Sequence, residues 1–306
     1  MAAEIDPARE RPPPADGSAE PPPSVAVDTY SRALNLLRTS PLSLVGLVIC
    51  AALVACALFA PWIAPYPEDA GTVVKFDQRL LAPSWQHWAG TDIVGRDVLS
   101  RIVMGARLSL LTALAVILLS ALVGVPLGVI AGYWSGWPGE SIMRVNEVFL
   151  AIPSLVFVLA VSALLGPSLI VTIFAIALAW WTWYARLAYG EVLSLREEQF
   201  VDAARTSGAS GLRIAFGEIL PNLVSVLTVK TTLDLGYVIL LGASLGFLGL
   251  GPQPPAPEWG TMVADGREQL PDAWWLTTFP GLAIFIAVVG FNLLGDGLND
   301  LLGGRS

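Results

Sequence analysis

The sequence predicts an all-α integral membrane protein with six transmembrane helices. Three observations carry that expectation. Hydrophobic residues make up 55% of the chain and charged residues 14%, well under the roughly 25% charged of soluble domains, and the mean hydropathy is +0.66. Six apolar runs are long enough for a hydrocarbon core of about 30 Å, which takes about 20 residues of helix. A polar, glycine-punctuated segment over 194–221 separates the fourth run from the fifth.

The order along the chain is a tail over 1–35, a first helix and loop over 36–105, a five-helix core over 106–300 and a short tail over 301–306. The first tail carries PPP twice and sets Glu4, Asp6, Glu10, Asp16, Glu20 and Asp28 against Arg9 and Arg11, six acids to two bases, so net −4 of the chain's −8. Such a segment cannot bury a core and is expected to be disordered. The acidic balance gives no footing for a nucleic-acid partner. No secretory signal is expected, because polar, acidic residues precede the first apolar run.

The runs fall at 42–64, 108–132, 145–165, 168–187, 223–248 and 279–294. In the first, Cys50 and Cys56 are six apart, nearly two helical turns, so no intrachain disulfide is expected. In the loop after it, His87 is the only histidine and lies beside Trp85 and Trp88. With no cysteine nearby it reads as an interfacial loop residue rather than a zinc ligand. Asp97 and Arg101, four apart, are expected to pair on a short helix at the membrane surface.

The second run places Gly124, Gly128 and Gly132 on one face, a stripe that lets another helix approach closely, and Pro126 loosens the backbone between them. Packing alone, or packing with gating, would explain it. In the fifth run Lys230 and Asp234 stand at i, i+4. Charges at that depth are costly and face protein or water, so they pair with each other or with a partner subunit, or less simply relay protons. The proline-rich loop over 252–259 is stiff, and Trp259, Trp274 and Trp275 are expected at the headgroup level as anchors, with substrate stacking as the alternative.

Orientation follows from the cations outside the runs. With both ends cytoplasmic, the inner side holds Arg9, Arg11, Arg32, Arg38, Arg144, Arg186, Arg196, Arg205, Arg213, Lys230 and Arg305, against Lys75, Arg79, Arg96, Arg101, Arg107 and Arg267 outside. The positive-inside rule favours this topology. It puts the 194–221 segment in the cytoplasm.

Catalytic chemistry is not expected. The only lysines, Lys75 and Lys230, each follow a valine, so there is no G-x-x-x-x-G-K-[ST] phosphate loop. A single histidine leaves no room for a Ser-His-Asp or Cys-His set elsewhere, and no cofactor or metal site is read.

The 194–221 segment carries most of the information. Ser194 with Glu197 three residues on is a capping box, which predicts a short helix from near Leu195. Along it Phe200, Val201 and Ala204 share one side, while Glu197, Glu198 and Arg205 stay wet. Gly208 can end it with a positive φ, and Ser210 can cap a second helix running until Pro221. By itself this describes an ordinary solvated loop with two short helices.

The order Asp202-Ala203-Ala204, three residues, Gly208, then Ile219-Leu220-Pro221 resembles the coupling loop of membrane subunits of ATP-binding-cassette importers. Gly90-Thr91-Asp92, Gly95-Arg96-Asp97, Arg101 and Arg107-Leu108-Ser109-Leu110 resemble the block before the second span in the peptide and nickel branch. Phe247-Leu248-Gly249-Leu250-Gly251, the Pro257-Glu258-Trp259-Gly260 run and Phe291-Asn292-Leu293-Leu294-Gly295-Asp296-Gly297 follow in the order that family has. Two departures stand out: Glu218 where the family often has His, and Gly242 where relatives carry Glu.

The resemblance implies a C-type permease subunit of a dipeptide, oligopeptide or nickel importer, in the inner membrane with both ends cytoplasmic. It implies a second homologous permease, two cytoplasmic ATP-binding subunits that hold ATP and Mg, and an extracytoplasmic binding protein. Glu198, Phe200, Val201, Asp202, Ala203, Ala204, Gly208, Arg213, Ile219, Leu220 and Pro221 would contact the ATPase. Peptide is favoured over nickel because one histidine, four methionines and two buried cysteines offer few metal ligands. An ion-coupled secondary transporter is the rival from another class.

Overall fold

The computed structural model describes residues 41–303; the segment 1–35 expected to be disordered, and residues 304–306 of the C-terminal tail, lie outside the described residues. Among the described residues regular structure is helical, and the extended backbone pairs only at an isolated bridge between Thr91 and Asp97. The helices are α1 (Pro41–Leu58), α2 (Ala60–Ile63), α3 (Val98–Tyr133), α4 (Trp137–Leu150), α5 (Ser154–Leu165), α6 (Leu169–Leu195), α7 (Gln199–Thr206), α8 (Gly211–Arg213), α9 (Val224–Phe247), α10 (Trp259–Arg267) and α11 (Trp275–Gly303). Among the described residues five helical paths are long and apolar enough to cross a membrane, or up to six if the bent pair is one span.

The bent pair corrects the third run. Instead of one helix over 145–165, α4 and α5 meet at 83°. Pro153 has no N–H to continue the hydrogen-bond ladder, and its ring drives Ile152 out of the helical region. The second run is longer than 108–132: α3 has 36 residues, about 54 Å at 1.5 Å per residue, so its first turns extend beyond a core of about 30 Å.

Those first turns are pinned by a buried polar network that revises three expectations. Asp97 and Arg101 do not pair, and no separate surface helix forms. Asp97 is the N-cap of α3: its carboxylate accepts from the Ser100 N–H at 2.7 Å and the Ser100 hydroxyl at 2.7 Å, and meets His87 Nδ1 at 2.9 Å. A carboxylate at a helix start satisfies orphan donors and the helix dipole together, which outcompetes a partner one turn on. His87 is 5% exposed beside the Tyr66 ring, so its side chain is held within the protein and not open at the surface. Arg101 turns to Asp92 at 3.6 Å and to the carbonyls of Asp69 at 3.3 Å and Pro255 at 3.5 Å.

The tryptophans divide. Trp274 is exposed, but Trp259 and Trp275 are buried inside the protein. Trp259 donates its indole N–H to Ile102 O at 2.9 Å and Trp275 donates to Thr91 O at 3.2 Å. Trp259 thus ties the start of α10 to the first turns of α3, and Trp275 ties the start of α11 to the residues before α3, each indole burying its body and satisfying its one donor.

In the membrane, close approach comes from small residues. A Cβ on Gly124 or Gly128 of α3 would collide with the Trp181 and Ala185 carbonyls of α6, and one on Gly132 would press on Val192. The far side repeats the device: Gly46 of α1 lies against Leu293 and Leu294 of α11, and Gly290 of α11 against Ile49. Leu111, Leu118 and Leu122 of α3 point outward and are exposed, as a face toward lipid or another apolar helix would be. Cys50 and Cys56 are free thiols.

Candidate functional site

The most distinctive surface is the segment between α6 and α9. α6 runs unbroken to Leu195, so the helix start expected near Leu195 is absent. Ser194 lies in its last turn, and Glu197 pairs with Arg196 at 3.0 Å instead of closing a capping box. The turn comes at Glu198, whose φ of −78° and ψ of 150° are extended, and α7 starts at Gln199.

α7 seats on Val201, which is fully buried, with Ala204 half-buried one turn on. Phe200 was expected on that side, yet it is exposed, as are Glu198, Asp202 and Ala203. A step of one residue turns a helix by about 100°, enough to carry a ring from the seam to the rim. Gly208 takes φ +81° and its N–H donates to Arg205 O at 3.0 Å. That left-handed corner has no Cβ penalty for glycine.

Ser210 then accepts from the Arg213 N–H at 3.4 Å and caps α8. The second helix does not stop at Pro221. The chain passes through a π-helical segment, Ile214–Ile219, and a 3-10 turn, Leu220–Leu223, directly into α9, giving one helical path of 37 residues. Pro221 cannot donate to the carbonyl four residues back, and the ladder changes width there. Ile214, Ala215, Ile219 and Leu223 are buried beneath it and Leu220 is half-buried, while Arg213 and Pro221 are exposed.

The knob grips the bundle at two points. Arg196 donates to Gly132 O at the end of α3 at 3.0 Å. Arg205 pairs with Asp202 at 3.1 Å and lies 5.9 Å from the centroid of the Tyr133 ring, so it is not simply wet. The outward rim combines the apolar Phe200 and Leu212 with Glu198, Asp202 and Arg213. Leu212 is 64% exposed and was missed in the sequence; its place directly after the Ser210 cap and Gly211 was the available signal. Such a rim offers no nucleophile or acid–base pair. It suits docking against another protein.

The block from Gly90 to Arg107 lies at the opposite end of α3 and does not join this surface. Asp92 accepts from the N–H groups of Val94 and Arg96, each at 2.9 Å, and from Arg96 Nε at 2.7 Å. Thr91 accepts from the Leu81 N–H at 2.8 Å, Gly90 and Gly95 take positive φ, and Arg107 is exposed. Beside it Glu258 caps α10 through the N–H groups of Gly260 and Thr261; burial raises its pKa despite those donors. Lys230 and Asp234 bond at 2.6 Å on α9, facing a groove of about 400 Å³ and apart from both ends.

Comparison with known proteins gives the family. Residues 124–306 match the family described as binding-protein-dependent transport system inner membrane component. Residues 30–83 match the N-terminal TM domain of oligopeptide transport permease C. The chain is 43% identical over 267 residues to the probable D,D-dipeptide transport system permease protein of Escherichia coli, covering 87% of this chain and 89% of the relative. It is 45% identical over 264 residues to a di/tripeptide transport system permease of Pseudomonas aeruginosa, covering 84% and 86%. It is 42% identical over 285 residues to a dipeptide transport system permease of Alkalihalophilus pseudofirmus, covering 92% and 93%.

Proposed function

The chain belongs to the family of inner membrane components of binding-protein-dependent transport systems, and from that premise we propose that it forms half of the pore of an ATP-driven peptide importer. It is a multi-pass permease subunit and not an enzyme. The peptide cargo rests on the names of its relatives, which favour it over the nickel alternative. ATP and Mg belong to two cytoplasmic ATPase subunits, a second permease completes the pore, and an extracytoplasmic binding protein delivers the cargo. The knob formed by α7 and α8 is the ATPase contact, so the chain ends lie in the cytoplasm and the 64–97 loop outside.

The observation that carries this reading is the combination of an exposed rim, Phe200 with Leu212, and an anchored underside, Val201 with Ile214 and Ile219. A partner moving the rim moves a rigid knob, because the buried side cannot slide independently. The knob continues into α9 and grips α3, so ATPase closure reaches the spans that line the path. Replacing Leu212 and Phe200 by Asp in the co-expressed assembly tests it. The expected result is normal membrane abundance with lost co-purification of the ATPase subunits; full co-purification and full uptake would overturn the docking assignment.

A further inference from the structure

We propose that the groove between α5, α6, α9 and α11 is a transit subsite for the ionised termini of a short peptide; this rests on the importer reading. The groove holds about 400 Å³ and its walls include Trp180, Trp183, Tyr237 and the Lys230–Asp234 pair. A second recess, of about 200 Å³, shares Ser154 and Trp183 with it, so the space continues to the break between α4 and α5.

Asp234 is 5% exposed; one carboxylate oxygen takes Lys230 at 2.6 Å, and the other, Oδ2, is buried near the Tyr184 hydroxyl with no close hydrogen bond of its own. A buried carboxylate whose one close partner is a lysine is stabilised by a further charged donor brought against it. A peptide ammonium supplies one. Once an ammonium takes its place on Asp234, Lys230, whose side chain is 26% exposed, can turn to the peptide carboxylate.

At Ser154 the first turn of α5 opens onto the groove, and no side chain caps it. Its unpaired N–H groups and positive dipole end add a second attraction for the carboxylate. Discontinuous helices in transport paths place such ends at bound solutes.

Charge balance favours this occupant. A peptide with free termini brings one charge of each sign, so the internal ion pair is exchanged for two intermolecular pairs and no uncompensated charge is buried. The walls read the peptide's ends, while the aromatic faces accept varied side chains; Trp180 and Tyr237 are stacked at 5.0 Å. Such a site is selective for termini and weak enough to release its cargo.

The test uses the whole assembly reconstituted in liposomes, with uptake read per ATP hydrolysed. In the double variant Lys230→Gln/Asp234→Asn, which keeps shape and a mutual hydrogen bond, uptake of a dipeptide with free termini should fall about tenfold, the weight of one charge-assisted hydrogen bond. The N-acetylated, C-amidated dipeptide should change less than about twofold. Equal effects on both peptides, or none on either, overturn the subsite while leaving the importer reading intact. Absence of ATP-driven uptake by the unaltered assembly overturns the importer reading itself. In a second measurement, Tyr237→Cys in a chain lacking Cys50 and Cys56 should be alkylated more slowly when dipeptide saturates the assembly. Alkylation at the same rate, or none in either state because the second permease fills the groove, overturns the proposal.

Discussion

The guanidinium of Arg196, just past the end of α6, donates to the carbonyl of Gly132 in the last turn of α3 at 3.0 Å. Those two residues are 64 apart in sequence, yet they tie the base of the knob to the helix whose glycine face packs on α6. A last-turn carbonyl has no partner in its own helix, so a cation there satisfies it and the dipole together.

Arg196→Ala should therefore loosen transmission more than folding. Its side chain is 23% exposed, so solvent screening limits the loss to about 1 kcal/mol. Membrane abundance and ATPase co-purification should hold while peptide taken up per ATP hydrolysed falls. Unchanged coupling in reconstituted liposomes would show that the clasp has no part in transmission.

Gly208 gives a sharper case. Nothing would touch a Cβ there, but φ is +81°. Gly208→Ala is thus strained by about 1–2 kcal/mol from backbone geometry alone, whereas Gly208→Pro cannot adopt the angle at all and removes the donor to Arg205 O. Ala204→Arg must push a long charged side chain into the half-buried seat of α7. Both severe variants should reach the membrane at normal abundance and lose the ATPases and uptake. Asp202→Asn should be mild, because its pair with Arg205 is exposed and worth at most about 1 kcal/mol. Co-purification and uptake rank all four; full activity in Ala204→Arg would sink the docking role.

What could be read from the residues, and what could not, follows from which forces are local. The spans were legible because about 20 apolar residues in a row have one low-energy solution in lipid, and the α3 glycine face because its period matches the helix. The corner at Gly208 and the cap at Ser210 are local chemistry as well. Trp259 was misread because its partner is remote, Ile102 lying 157 residues away, and Asp97 because a cap to Ser100 and a contact with His87 ten residues back competed with the i, i+4 pair. A tryptophan near a membrane run looks like an anchor until the loop that covers it is placed. Ser194 and Glu197 met the capping pattern, yet α6 simply continued past Ser194 to Leu195, since helix propagation costs less than a new start. Pro153 could have warned of the break between α4 and α5; the apolar run across it hid the signal.

The glycine face makes a stability prediction with its own control. A Cβ at Gly128 would meet the Ala185 carbonyl, which is backbone and cannot swing aside, whereas nothing lies within 4 Å of a Cβ at Gly242. Gly128→Ala should destabilise by about 1–3 kcal/mol, as overpacking does, and Gly242→Ala should not. Thermal unfolding of the detergent-solubilised assembly reads the difference. Equal midpoints for the two variants would mean that α3 and α6 are not held at this distance.

Topology is the prediction on which the direction of transport depends. Asp77, in the loop before α3, and Arg205, on the knob, are both exposed, so a cysteine at either place reacts according to the side it faces and not according to burial. In a chain whose Cys50 and Cys56 have been replaced, an impermeant thiol reagent applied to intact cells should label Asp77→Cys and spare Arg205→Cys, and opening the cells should make the second reactive. The cation distribution points this way, since the knob side carries Arg196, Arg205 and Arg213 within one short loop. Labelling of Arg205→Cys in intact cells, with Asp77→Cys protected, would put the knob outside, away from ATP. The docking surface would then face the wrong compartment for an ATPase, and the importer mechanism would fail with it.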